Sequence, residues 1–166
     1  MNTNADPGTL RTLARATGYF ELGMLEESSA ELDAMDTQVQ SCPEVFNMRC
    51  MILLARKAWK AVITLGKLAS AIYPSRGEFF IHTAIAYDKA GRPDLAKEIW
   101  KAAPDVIRNS GFYHYNVARC EAKLGNVQSA HRHIARAITL EPRFADVLKR
   151  DPRIRRVVAL ECSRWN

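Results

Sequence analysis

The sequence predicts an all-α protein: about four helix-turn-helix pairs stacked in a row, closed by a short helical segment at the C-terminus. Three observations predict it. Ala, Leu, Arg, Lys and Glu are plentiful, whereas Gly and Pro number only 8 and 7 in 166 residues, a mix that favours helix. Gly23, Gly91 and Gly125 each end a short helical stretch, reading YFELG, YDKAG and EAKLG. The first two of these glycines are 68 residues apart and the last two 34, so the chain repeats itself with a period of 34, the signature of an array of stacked units.

Shifting the chain by this period aligns further positions. Ala16, Cys50, Ala84 and Ala118 fall together, and all are small. Ser28, Val62, Ala96 and Ala130 form a second column; Ala69, Ala103 and Ala137 form a third, with Met35 as its large exception. Two antiparallel helices can approach closely only where side chains are small. A Gly between them ends the first helix in a left-handed conformation that costs other residues energy. Lys57 stands where the second unit's Gly is due. Phe46 and Phe80 early in their units, and Leu32, Trp100 and Ile134 late, are expected to fill the space beside the small contacts. Pro74 and Pro142 end two of the units, because Pro stops a helix.

This combination of period, small residues, Leu-Gly or Ala-Gly turn and closing Pro resembles the tetratricopeptide repeat. The clearest copy is residues 112–142, FYHYNVARCEAKLGNVQSAHRHIARAITLEP. The resemblance covers roughly residues 9–142, and the arrangement is similar to short stand-alone bacterial tetratricopeptide proteins. It implies a single domain, a right-handed superhelical solenoid, with repeats at about 9–42, 43–76, 77–110 and 111–142 and a cap over 143–166. Departures are visible. Thr12 replaces a large aromatic and Gln40 replaces Pro in the first unit. Arg108 replaces Pro in the third, where Pro104 lies inside the second helix and should end or kink it near Ala103. The predicted helices are 8–22, 25–38, 43–56, 59–72, 77–90, 93–103, 111–124 and 127–140. Beyond them, Phe144, Val147 and Leu148 make one apolar stripe. Asp151-Pro152 reads as a helix start, after which Ile154, Val157 and Val158 face one way. Such a piece covers the face that the last unit of an array otherwise exposes.

Motifs for chemistry are missing. There is no Gly-rich phosphate loop, no GxSxG and no HExxH. Cys42, Cys50, Cys120 and Cys162 include no CxxC pair, fit no zinc spacing and read as free thiols. His131 and His133 lie roughly 200° apart around a helix axis, wrong for shared metal ligation, and read as two polar-face residues. His82 and His114 fall on first helices without a nucleophile beside them. The expectation is therefore no enzyme, no cofactor and no metal. No apolar run reaches the ~18 residues of a membrane span, and residues 1–18 lack the apolar core of a signal peptide, so a cytoplasmic protein is expected.

Partners are argued from charge and from the resemblance. Net charge is +6, but residues 1–42 hold 2 basic and 7 acidic residues, and residues 43–76 hold 6 and 1. This permits weak homo-oligomeric contact at low salt. The resemblance implies that the first helix of each pair lines a concave side. Its inward-looking sets are then Leu13, Thr17 and Phe20; Asn47, Met51 and Leu54; Ile81, Ile85 and Asp88; and Tyr115, Arg119 and Ala122. The predicted groove is Leu13, Phe20, Asn47, Met51, Leu54, Ile81, Ile85, Tyr115 and Arg119, a largely apolar face suited to a protein or peptide partner. Alternatively, some of these residues pack into the core or under the chain's own ends. The family's clamp for acidic C-terminal tails is not matched: Leu13 and Thr17, then Glu78 and His82, occupy its positions. Two other readings remain. One is a chaperone of the secretion or export type. The other is a nucleic-acid or polyanion binder using Arg143, Lys149, Arg150, Arg153, Arg155 and Arg156. Asp146 and Asp151 interrupt that basic cluster, and helix-spaced apolar residues run through it, which makes nucleic acid the weaker reading.

Overall fold

A computed structural model describes residues 7–152 and 154, with the backbone alone at 148 and 149. Ten helices are present among the described residues: α1 (Pro7–Glu21), α2 (Leu25–Asp33), α3 (Pro43–Ala55), α4 (Trp59–Ile72), α5 (Gly77–Lys89), α6 (Pro93–Ala102), α7 (Asp105–Arg108), α8 (Gly111–Lys123), α9 (Val127–Leu140) and α10 (Phe144–Arg150). Most ends fall within a residue of expectation. Pro43 and Pro93 sit in the first turns of α3 and α6, where a missing N–H costs nothing. The Ser110 hydroxyl accepts from Tyr113 N–H at 3.1 Å and caps α8.

Four tight turns join the helices of the four pairs in the same way. Gly23, Gly91 and Gly125 have φ of +76°, +78° and +77°, and Lys57 follows them at +57°. Behind each, one amide reaches back five residues: Met24 to Tyr19, Ala58 to Leu53, Arg92 to Tyr87 and Asn126 to Glu121, all at 2.9 Å. These bonds satisfy carbonyls that a helix end otherwise leaves open.

Two ends differ from expectation. α2 stops at Asp33 rather than near 38. Gln40, at the position where Pro was due, folds back and donates from Nε2 to the Met35 carbonyl at 2.9 Å, which fastens residues 35–40 into turns. The second helix of the third pair ends at Ala102, as Pro104 requires. Ala103 and Pro104 are extended, and the unforeseen single turn α7 follows.

The chain divides into two compact units, residues 1–86 and 87–166, with the boundary inside α5. In the first unit α1 packs on α2, α3 packs on α4, and α3 also meets α1 and α2. Ala16, Leu32, Met35, Val45, Met48 and Ile52 form one core cluster. The small column there has a visible use: the buried Ser28 hydroxyl donates to the Ala16 carbonyl at 2.7 Å. Phe46, Ala69 and Phe79 form another cluster. Phe79, fully buried, fills this place, and Phe80 is only half-buried. This corrects the expectation for Phe80. The reason is Gly66, which lies one period after Leu32. A Cβ there would sit 2.2 Å from Thr83 Oγ1 and 3.3 Å from the Phe79 carbonyl, so α5 occupies the room a larger residue would need.

In the second unit α6 and α9 pack against α8, and α10 packs on α9. Trp100 is 1% exposed and meets Phe112 and Tyr113 edge-on, with ring centroids 5.9 and 6.2 Å away. Phe144 and Ile154 join Ala118, Ala130, Ile134 and Ala137 in its core, as a terminal cover should. Val147 does not: it is 40% exposed. The Leu148 side chain, Arg153, Arg155, Arg156, Val157, Val158 and Cys162 lie outside the described residues. Cys42, Cys50 and Cys120 are free thiols.

Candidate partner-binding face

The first unit carries seven of the nine groove residues. On α1, Leu13 and Phe20 are half-buried and lean on the cluster of Ala16 and Leu32, while Thr17 is exposed and donates its hydroxyl to the Leu13 carbonyl at 2.8 Å. On α3, Asn47, Met51 and Leu54 are half-buried, as are Ile81 and Ile85 on α5. Their spacing of three or four residues keeps each set on one helix face.

One polar link crosses between α3 and α5. His82 Nε2 lies 2.7 Å from Asn47 Oδ1. A carbonyl oxygen only accepts, so Nε2 carries the proton. Burial pushes the His82 pKa down to about 4, which keeps the ring neutral near pH 7. The sequence puts His82 on a first helix, but nothing in it pairs His82 with a residue 35 positions away.

The second unit treats its two groove residues differently. Tyr115 stacks on Phe144 at 5.3 Å, and its hydroxyl donates to Asp151 Oδ2 at 3.3 Å. Arg119 reaches Asp88 at 3.4 Å and Asp151 at 3.5 Å. Asp88 is buried and also bound by Lys123, so it is a structural anion rather than a groove residue. The face of Tyr115 and Arg119 is thus partly covered by the chain's own C-terminal segment. A cleft of about 480 Å³ remains, lined by Tyr115 and Arg119 themselves with Val147, Arg150, Asp151 and Pro152.

The histidines of this unit also correct the sequence reading. His131 is exposed, but His133 is half-buried and turned toward α8, with Nδ1 2.9 Å from His114 Nδ1. Burial lowers the pKa of both rings. Among the described residues no three His, Cys, Asp or Glu side chains converge as metal ligands. No helix there is long and apolar enough to cross a membrane.

A second concavity of the first unit was not anticipated. It measures about 520 Å³ and lies over α3 between α2 and α4, with Ile52, Leu53, Leu65 and Leu68 among its lining and Arg49, Arg56 and Lys60 around it. The available signal was α4 itself, which contains no acidic residue and puts Leu68 where the other repeats have Ala34, Ala102 and Arg136.

No family model matches the sequence, and no curated protein matches it. Solved structures do. A MamA chain from Desulfovibrio magneticus RS-1, residue 41 to its end, superposes with a TM-score of 0.73 at 16% identity, over 96% of this chain and 97% of that one. TTC0263, a thermophilic tetratricopeptide protein of Thermus thermophilus, gives 0.70 at 13% identity, over 89% and 80%. MamA of MSR-1 gives 0.68 at 19%, over 80% and 76%. The fold is the tetratricopeptide-type one these structures share, all-α and built from helix pairs.

Proposed function

We propose that the chain is a protein-interaction module that holds a peptide or helix on the first-helix face of Leu13, Phe20, Asn47, Met51, Leu54, Ile81 and Ile85. The observation that carries this reading is the half-burial of Met51, Leu54, Ile81 and Ile85. They are large apolar side chains that the fold leaves part-open. Tyr115 and Arg119, engaged with Phe144 and Asp151, belong to the second unit and border a cleft of their own.

The energetics are compatible with a transient partner. Completing the burial of a half-buried Ile, Leu or Met adds about 0.8–1.5 kcal/mol. Four of them together give roughly 3–6 of the ~8 kcal/mol behind a micromolar affinity. A charge on this face would have to be buried unpaired on binding. The double variant Met51→Glu, Ile85→Glu is expected to keep its helix content and to melt within a few degrees of the parent. Used as the control in affinity capture from native lysate, it is expected to lose the partner that the parent retains. A folded double variant that keeps the partner rejects this face. Loss of the fold would assign these residues to the core instead.

A further inference from the structure

We propose that the concavity over α3 is a second docking site and that its occupant is the α1–α2 turn of a second copy of this chain. Both halves of the contact lie in the first unit. The receiving half is the roughly 520 Å³ hollow of Ile52, Leu53, Leu65 and Leu68. Leu68 is 52% exposed, and Ile72, one turn further along α4, is 50% exposed. An apolar stripe on an outward helix face costs solubility and commonly marks an interaction surface.

The inserting half is the segment Glu21-Leu22-Gly23-Met24-Leu25-Glu26-Glu27. Leu22 is 75% exposed, at the tip of a turn whose geometry Gly23 fixes. Met24 is also exposed, and so are Glu21 and Glu27 on either side. The turn is therefore an apolar tip flanked by carboxylates.

Charge complements shape. At the rim, Arg49 is paired with Asp33 and Arg56 with Glu26 within the chain, which leaves Lys60 as the rim cation with no ion pair among the described residues. Lys57 and Lys67 are exposed nearby on the same helix pair. The segment 43–76 as a whole holds six basic residues against one acidic residue. Glu21 and Glu27 of an incoming turn meet this excess. Arg56 also donates to the Leu25 carbonyl at 3.0 Å, so turn and hollow are neighbours in one molecule. A two-fold axis beside them lets each copy insert its Leu22 into the other, a closed and self-complementary contact. The product is a dimer rather than a fibre.

The test is sedimentation of the full chain across a concentration series. A monomer–dimer equilibrium is expected. Leu22→Asp and Leu68→Asp, both at exposed positions, are each expected to weaken the dimer at least about tenfold with the melting temperature unchanged. Lys60→Glu alone and Glu27→Lys alone are expected to weaken it as well. Mixing those two restores the contact, because each groove then meets a turn of opposite sign, and a heterodimer forms. Met51→Glu, Ile85→Glu leaves the dimer intact, since the first-helix face is a separate surface. A chain that stays monomeric throughout overturns the proposal. So does a dimer indifferent to both Leu substitutions, a mixture that fails to recover, or an open series of higher oligomers. If Leu68→Asp releases a foreign protein from a monomeric chain, the hollow belongs to that partner and the proposal falls.

Discussion

Lys57 holds a backbone conformation that the other three turns give to Gly. A side chain at φ +57° meets its own backbone, at a cost of about 1–2 kcal/mol. Lys57 is exposed, so its side chain has little to offset that cost. Replacing it with Gly removes the strain but adds freedom to the unfolded chain, worth about 0.5–1 kcal/mol. The net expectation for Lys57→Gly is a gain of roughly 0.5–1 kcal/mol, seen as a melting temperature higher by about 1–4 °C. Lys57→Ala, which keeps a Cβ at the same φ, is the control and should melt with the parent. Equal melting of all three proteins would mean that the turn carries no strain.

At the scale of helices, α3 and α5 are joined by the Asn47–His82 hydrogen bond, and its energetics depend on pH. The His82 pKa is about 4 in the folded chain and near 6.5 in the unfolded one. The unfolded state therefore binds the proton first as pH falls. Stability is complete above pH ~6.5 and declines as pH drops toward 4, by at most about 3 kcal/mol. His114 and His133, also lowered by burial, push in the same direction. Denaturant melts between pH 7 and pH 4 should show this decline, and His82→Gln, which can still donate to Asn47, should flatten part of it. An unchanged slope in that variant would place the acid sensitivity elsewhere.

Elements were also where the sequence was most legible. A period of 34 residues with mostly small residues in register locates helix pairs directly, because close helix approach favours small side chains. Ser28 over Ala16 is that rule at atomic scale. What periodicity could not show was compensation between neighbours. Gly66 replaces a large residue and α5 takes the vacated room through Thr83 and the Phe79 carbonyl, an exchange between two helices that no single column records. The site was legible only as a set of faces. Leu13 to Ile85 fall on α1, α3 and α5 and are half-buried there. Whether Tyr115 and Arg119 were open depended on where the chain's end folds back, and that contact is made by Phe144 and Asp151, beyond the last repeat. The hollow beside Leu68 was not legible because it forms over α3 between α2 and α4, and the column of Leu68, with Ala34, Ala102 and Arg136, holds no one residue type.

For the whole chain, the C-terminal segment decides how the last helix pair is finished. Phe144 and Ile154 are buried in the cluster of Ala130 and Ile134, and Asp151 is held by Tyr115 and Arg119. Deleting residues 143–166 removes two large buried side chains, worth roughly 3–6 kcal/mol together, and leaves their partners wet. The truncated chain is expected to melt about 10 °C lower or more and to bind more of a hydrophobic dye than the parent does. A truncated chain with the parent's melting curve would show that the segment covers nothing of consequence.

The same fastening makes that segment a separable part. Its described anchors, Tyr115, Arg119, Ala130 and Ile134, all belong to one helix pair, so the information needed to hold it is local. A protein engineer could move residues 143–154 together with α8 and α9 onto the end of an artificial repeat array. The array would then gain a ready-made stop, one that covers Ala130 and Ile134 with Phe144 and Ile154 and seats a carboxylate between Tyr115 and Arg119.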